Sequence, residues 1–344
     1  MNKEKGQENG IRPIKIRIVN PTPKSEKNNK NGETDKKPRT ISFLFFVMLG
    51  CLSFFLIYGI YTYFRETSVT TWKLIVLINL FFLFFSYGLP ILFYSAYRSE
   101  SINDINWKTK PILFILILLL GFVTANLLNI FNSLISLLLQ KLNFIHSTWT
   151  EAPYIDYFIG NSFSHILIYL LVLCFIPAFL QEFGLRQILI KRNFGSKVEF
   201  KLLLTQGLIT ALLSFNPQLF IPTFGLGILS SYIFISFGHY SLNVVFHFCF
   251  CFSYHYLLSK IELFNFTFSR ASSLSDYFPL ILNVLLSLCI FLPVLIIIEQ
   301  MTTVNPIWKS DNKISLLKKM RSERFFSPSL LLIGIFYIAS LLLF

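Results

Sequence analysis

Residues 177–192 read Pro-Ala-Phe-Leu-Gln-Glu-Phe-Gly-Leu-Arg-Gln-Ile-Leu-Ile-Lys-Arg, and the rest of the chain is organised around this stretch. It closes an apolar run with a carboxylate, Glu182, and a guanidinium, Arg186, four residues apart. That spacing sets both on one helix face, where they can pair. Charge is expensive beside hydrocarbon, so an ionisable pair in such a place marks a candidate functional site. The plainer reading is an ion pair at a membrane helix end, with Lys191 and Arg192 reaching into the headgroups.

Working outward, the composition assigns the class. Of 344 residues, 54% are hydrophobic and only 14% charged, and the mean hydropathy is +0.62. Soluble domains carry about 25% charged residues, so this is a membrane protein. Nine apolar segments follow one another at 41–64, 74–95, 111–139, 162–183, 202–216, 224–237, 241–258, 279–298 and 328–344. Several exceed the ~20 residues that a spanning helix needs, which predicts an all-α, polytopic membrane helix bundle of about eight to nine transmembrane helices. The five cysteines, at 51, 174, 249, 251 and 289, all fall in apolar segments and form no disulfide framework.

A net charge of +13 would suggest nucleic acid in a soluble protein. Here the positives gather in tails and at helix ends, so no nucleic-acid partner is expected and the charge reads as cytoplasmic anchoring. Residues 1–40 carry eleven Lys/Arg and five acids among Asn, Gly and Pro, the composition of a disordered basic tail. With that tail in the cytoplasm, 25 of the 30 Lys/Arg lie on the inner side and 5 outside. This bias predicts a cell-membrane protein with a cytoplasmic amino terminus and an outward carboxyl terminus. The lipid bilayer is then one partner, and a membrane protein or peptide is the other expected one.

Two polar stripes interrupt the hydrocarbon. In the third segment, Asn126, Asn129, Asn132, Ser133 and Ser136 recur at three-to-four spacing, a pattern that predicts interhelical hydrogen bonds. The loop 140–161, with Trp149 and Tyr154, reads as an interfacial segment. The fifth and sixth segments are short, and their link, residues 216–223, is expected to turn inside the protein, shielded from lipid. The seventh segment and its leading turn carry His239, Asn243, His247, Cys251 and His255 at every fourth position. Polar groups so repeated point into the bundle. They suit buried histidines satisfied by neighbours, and His247/Cys251 or Cys251/His255 with Glu182 would also suit a metal. No cofactor and no metal are expected.

The order and spacing of these residues resemble the CAAX protease and bacteriocin-processing (CPBP, or Abi) family of intramembrane endopeptidases. That family carries EExxxR at the end of one helix, FxxxH on the next, a glycine-marked helix and then HxxxN. The first motif stands here as Gln181-Glu182-Phe-Gly-Leu-Arg186, and the second as Leu212-Leu-Ser-Phe-Asn216. Gly225, Gly227 and Gly238 resemble the marking glycines, and His247 follows with Cys251 four residues on. The resemblance covers roughly residues 160–258 and implies site residues Gln181, Glu182, Arg186, Asn216, His247 and Cys251. A second register, His239-Tyr-Ser-Leu-Asn243, keeps a literal HxxxN but begins in the turn beside Gly238.

Four positions depart from the family pattern, Gln181, Leu212, Asn216 and Cys251, and they bear on the chemistry the resemblance implies. In the family the leading Glu and the second-motif His activate water, while the last His and Asn stabilise the oxyanion. A primary amide accepts no proton near neutral pH, so Gln181 and Asn216 remove the two best bases. Cys251 is a weak donor in the place of the final Asn. The expectation is therefore a pseudoprotease scaffold that binds another membrane protein; the alternative is a divergent endopeptidase with Glu182 as base. The expected division is a tail at 1–40, helices at 41–140, a CPBP-like core at 160–258 and carboxy-terminal helices at 279–344.

Overall fold

The computed structural model describes residues 43–64, 72–98, 111–142, 163–190, 200–258, 277–301, 333–335 and 337–338. The chain divides into residues 1–40 and 41–344, and all described residues belong to the second unit. The basic tail, Trp149 and Tyr154, and Lys191 and Arg192 lie outside the described residues.

Every regular element among the described residues is helical. They run α1 (Phe43–Phe64), α2 (Trp72–Leu83), α3 (Leu89–Arg98), α4 (Pro111–Lys141), α5 (Phe163–Tyr169), α6 (Ile176–Glu182), α7 (Phe200–Leu212), α8 (Phe220–Phe237), α9 (Tyr240–Phe252) and α10 (Phe278–Met301). Wider π-helical segments at Phe84–Gly88 and Leu170–Phe175 join α2 to α3 and α5 to α6. Others, Phe183–Ile190 and Ser253–Leu257, extend α6 and α9. Five described helical stretches are long and apolar enough to cross a membrane: Val76–Ala96, Pro111–Leu139, Phe163–Ile190, Phe220–Phe237 and Phe278–Met301. Two shorter apolar helices, Phe43–Gly59 and Phe200–Leu212, accompany them. The chain is a multi-pass membrane helix bundle.

Two of the π segments have a local cause. Proline has no N–H and its ring crowds the carbonyl four residues back. For Pro90 that carbonyl belongs to Ser86, and for Pro177 to Leu173, each inside the preceding π segment. The wider turn lets the helix pass the proline without ending. Near the start of α8, the sequence reading placed an irregular link as far as Thr223. The helix instead begins at Phe220 and takes in Pro222, because a first-turn residue lacks an intrahelical N–H bond in any case.

The bundle is drawn together by small residues and buried amides. A Cβ on Gly121 of α4 would meet the Phe246 carbonyl at 3.0 Å, so α4 and α9 are in close backbone contact there. The Asn126 Nδ2 donates to Asn283 Oδ1 at 2.5 Å and to Ser287 Oγ at 2.7 Å, clasping α4 to α10. Asn132 Nδ2 reaches the Tyr254 hydroxyl at 3.4 Å. These bonds are the interhelical role expected of that stripe. Asn126→Leu should lower stability by about 1–2 kcal/mol, the range of interhelical hydrogen bonds in bilayers. Thermal denaturation in detergent checks this. The double change Asn126→Leu/Asn283→Leu should recover part of the loss, because a lone buried amide is worse than none.

Candidate functional site

Three helices meet at Glu182, and a fourth, α7, joins through Arg186. Glu182 ends α6, it is 1% exposed, and Arg186 in the following π segment is fully buried. Arg186 Nε lies 3.3 Å from Glu182 Oε2, an ion-pair contact not aligned as a hydrogen bond. The guanidinium is steadied from its other side. Nη2 donates to the Gly227 carbonyl of α8 at 3.3 Å, and Nη1 and Nη2 stand 3.5 and 3.4 Å from Thr210 Oγ1 of α7. That approach needs glycine: a Cβ on Gly227 would meet Thr210 Oγ1 at 2.7 Å and the Gly207 Cα at 2.9 Å.

The carboxylate has further partners on α8 and α9. Ser230 Oγ donates to Oε2 at 2.5 Å, and Asn243 Nδ2 donates to the same oxygen at 3.2 Å. Asn243 also donates to the Ser230 carbonyl at 2.6 Å. His247 Nδ1 bonds the other oxygen, Oε1, at 2.8 Å. A buried carboxylate is tolerated when it is paired and its lone pairs are filled, and here both oxygens are engaged. Tyr240, one turn before Val244, donates its hydroxyl to the Phe179 carbonyl at 2.6 Å and ties α9 to α6.

Elements outside this cluster press on it. Gly184 lets α1 approach the Arg186 segment, since its Cβ would meet the Phe43 ring at 3.0 Å. Tyr87, in the first π segment, is buried.

Of the sequence-predicted residues, Glu182, Arg186 and His247 come together. Gln181 precedes Glu182 and is half-buried, and Cys251 is buried one turn beyond His247. Asn216 lies past the end of α7, where it closes its own turn: its Oδ1 accepts from the Gln218 N–H at 2.9 Å, and its carbonyl accepts from Ser214 Oγ at 3.3 Å. Glu182 takes its polar partners from Arg186, Ser230, Asn243 and His247 instead. The two registers of the last motif therefore merge, with Asn243 from one and His247 from the other. His239 stays in the turn as the residue before α9. Ser230 and Thr210 were missed by the sequence reading, and a serine or threonine in an apolar helix gives little signal to find it by. Among the described residues, no group of three or more His, Cys, Asp or Glu could hold a metal ion.

Residues 163–253 match the family model of Type II CAAX prenyl endopeptidase Rce1-like proteins. The matched stretch runs from α5 to the end of α9 and contains every residue of the Glu182 cluster, in accord with the motif resemblance. Comparison with curated proteins and with solved structures found no match. The chain is a CAAX-protease-like membrane protein.

Proposed function

We propose that this protein is a pseudoprotease scaffold, which uses the core at 160–258 to hold another membrane protein or a membrane-embedded peptide. The observation that carries this reading is the state of Glu182. A general base must offer a lone pair to water and accept its proton. The Glu182 oxygens are instead occupied by Ser230, Asn243, His247 and the paired Arg186, at 1% exposure. Gln181 and Asn216 hold no basic atom that could replace it. The carboxylate serves as the hub on which three helices are hung.

The second reading, a divergent endopeptidase acting at the cytoplasmic side of the bilayer, draws support from the 2.8 Å contact of His247 with Glu182. A base held by a second group is the form that proton-transfer sites take. The readings part at Glu182→Gln, which keeps shape and hydrogen-bonding capacity but removes basicity and the charge that pairs with Arg186, so function is scored per amount of folded protein. A scaffold keeps its function with this change, and a Glu182-dependent peptidase loses it.

The proposed orientation places the amino terminus and residues 299–327 in the cytoplasm of a cell whose plasma membrane holds the protein. It rests on the distribution of Lys and Arg. A Ser310→Cys variant should resist an impermeant thiol reagent applied to intact cells and react once the membrane is opened. Labelling from outside would reverse the orientation.

A further inference from the structure

Two features of α7 and the turn that ends it share one explanation. Gln206 is fully buried, and neither its Nε2 nor its Oε1 has a hydrogen-bond partner. Among the described residues it is the buried carboxamide left open at both atoms. Such a group has given up water without compensation, which is costly. An apolar side chain of that length would be more stable there, so the amide calls for a role.

The second feature lies past the end of α7. Phe215 has a φ of 46°, in the left-handed region, and it is the non-glycine residue found there among the described ones. A bulky residue stays in that region only where its surroundings over-determine it. Here the surroundings are α1 and α2. The Phe215 ring meets Phe55 at 5.1 Å and Phe82 at 6.0 Å, edge to face with both. The ring is clamped between two helices, and the turn that carries it keeps the strain.

Between these two positions α7 touches Arg186. Thr210 stands one turn after Gln206, on the same face of α7. Its Oγ1 lies 3.5 and 3.4 Å from Arg186 Nη1 and Nη2, a loose hold, and it donates its own proton to the Gln206 carbonyl at 2.8 Å. A guanidinium carries five donors, and Nε makes no aligned hydrogen bond. A carboxamide oxygen is an acceptor suited to that fork, and Gln206 carries one a single turn from Thr210.

We propose that α7 has two settings, and that the clamp on Phe215 selects between them. In the setting seen, the clamp holds α7 so that it meets Arg186 through Thr210. In the other, Phe215 leaves Phe55 and Phe82, and its turn relaxes to negative φ. α7 then turns about its axis until Gln206 Oε1 accepts from the Arg186 guanidinium. The pivot is the close approach of α7 to α8 at Gly207 and Gly227. α7 is one continuous helix, so a change at its end is carried to Arg186 near its middle. A partner that parts α1 from α2 would thereby be sensed at the Glu182 cluster. This device goes beyond the scaffold reading and does not depend on it.

The test is a double-mutant cycle on the full chain in phosphatidylcholine vesicles, read as thermal denaturation midpoints. Gln206→Leu should raise the midpoint of the native chain by about 2 °C or more, because it removes an unbonded buried amide. Phe215→Ala removes the ring and keeps the aversion to positive φ, so it releases the clamp. In that background Gln206→Leu should lower the midpoint, because the amide now holds Arg186. Gln206 lies six residues, about 9 Å, inside the end of α7, and Phe215 lies three residues beyond it. Positions so far apart and without a shared partner have additive effects when the helix between them stays put. Where Phe215→Ala does not accumulate, Phe82→Ala loosens the same clamp and takes its place in the cycle. A reversal of sign between the two backgrounds supports the two settings. The same rise in both, or a lowered midpoint for Gln206→Leu in the native chain, would overturn them.

Discussion

Arg186→Met should remove most of the folded protein from the membrane. Arg186 is the cation against which Glu182 is buried, and the two are 0% and 1% exposed. Deleting one member of such a pair leaves an uncompensated charge in a low dielectric, which is destabilising by about 3–5 kcal/mol. Glu182 would keep Ser230, Asn243 and His247, so the loss should fall toward the lower end of that range. Arg186→Lys should rescue little. A compact ammonium on a flexible stem cannot face Glu182 while its other donors reach the Gly227 carbonyl and Thr210. The double variant Arg186→Met/Glu182→Gln should regain much of the stability, because it leaves no unpaired charge. Membrane abundance and thermal denaturation of the four proteins measure this directly. If Arg186→Met alone accumulates normally, the pair contributes little to the fold.

Gly227→Val is expected to have the next largest effect. The space at Gly227 is already filled by Thr210 and Gly207 of α7. A branched side chain must push α7 from α8, and overpacking of this kind costs about 1–3 kcal/mol. The displacement would also carry the Gly227 carbonyl away from Arg186, so the ion pair should loosen in the same step. Gly227→Ala should show a smaller loss. Gly59 supplies the control, since a Cβ there meets nothing within 4 Å. Gly59→Val should change stability by less than about 0.5 kcal/mol, as surface substitutions usually do. Equal losses at Gly59 and Gly227 would place the cause in helix propensity and not in helix contact.

The parts of this architecture that could be read from the sequence are those set by local chemistry. Apolar length fixes a membrane helix without reference to its neighbours, so the class and most of the segments were legible. Glu182 and Arg186 were legible because their spacing alone lets them pair. The stripe from His239 to His255 announced a polar face, but which members meet Glu182 depends on the depth of α9 against α6. That depth is set by packing, and it brings Asn243 and His247 to the carboxylate together. Asn216 shows the limit most clearly. Motif spacing measured from Glu182 selected it, yet the residue of α7 that touches Arg186 is Thr210. Thr210 lies inside α7, whereas Asn216 lies in the turn after its end at Leu212. Counting residues across the connection between α6 and α7 does not say where α7 begins, so the register was lost there. Ser230 was hidden because a hydroxyl in an apolar helix usually satisfies itself on its own backbone, as Ser231 does on the Gly227 carbonyl at 2.7 Å.

The central claim is that Glu182 holds the bundle together and does not activate water. The measurement that tests it most directly is complementation by Glu182→Gln, scored beside membrane abundance in cells lacking the native gene. A glutamine at this position retains an acceptor for Ser230 and Asn243 but cannot take a proton. The scaffold account expects complementation at the native level once the signal is scaled to the amount of protein present. Abolished complementation at unchanged abundance would contradict it and make Glu182 the base of an active peptidase.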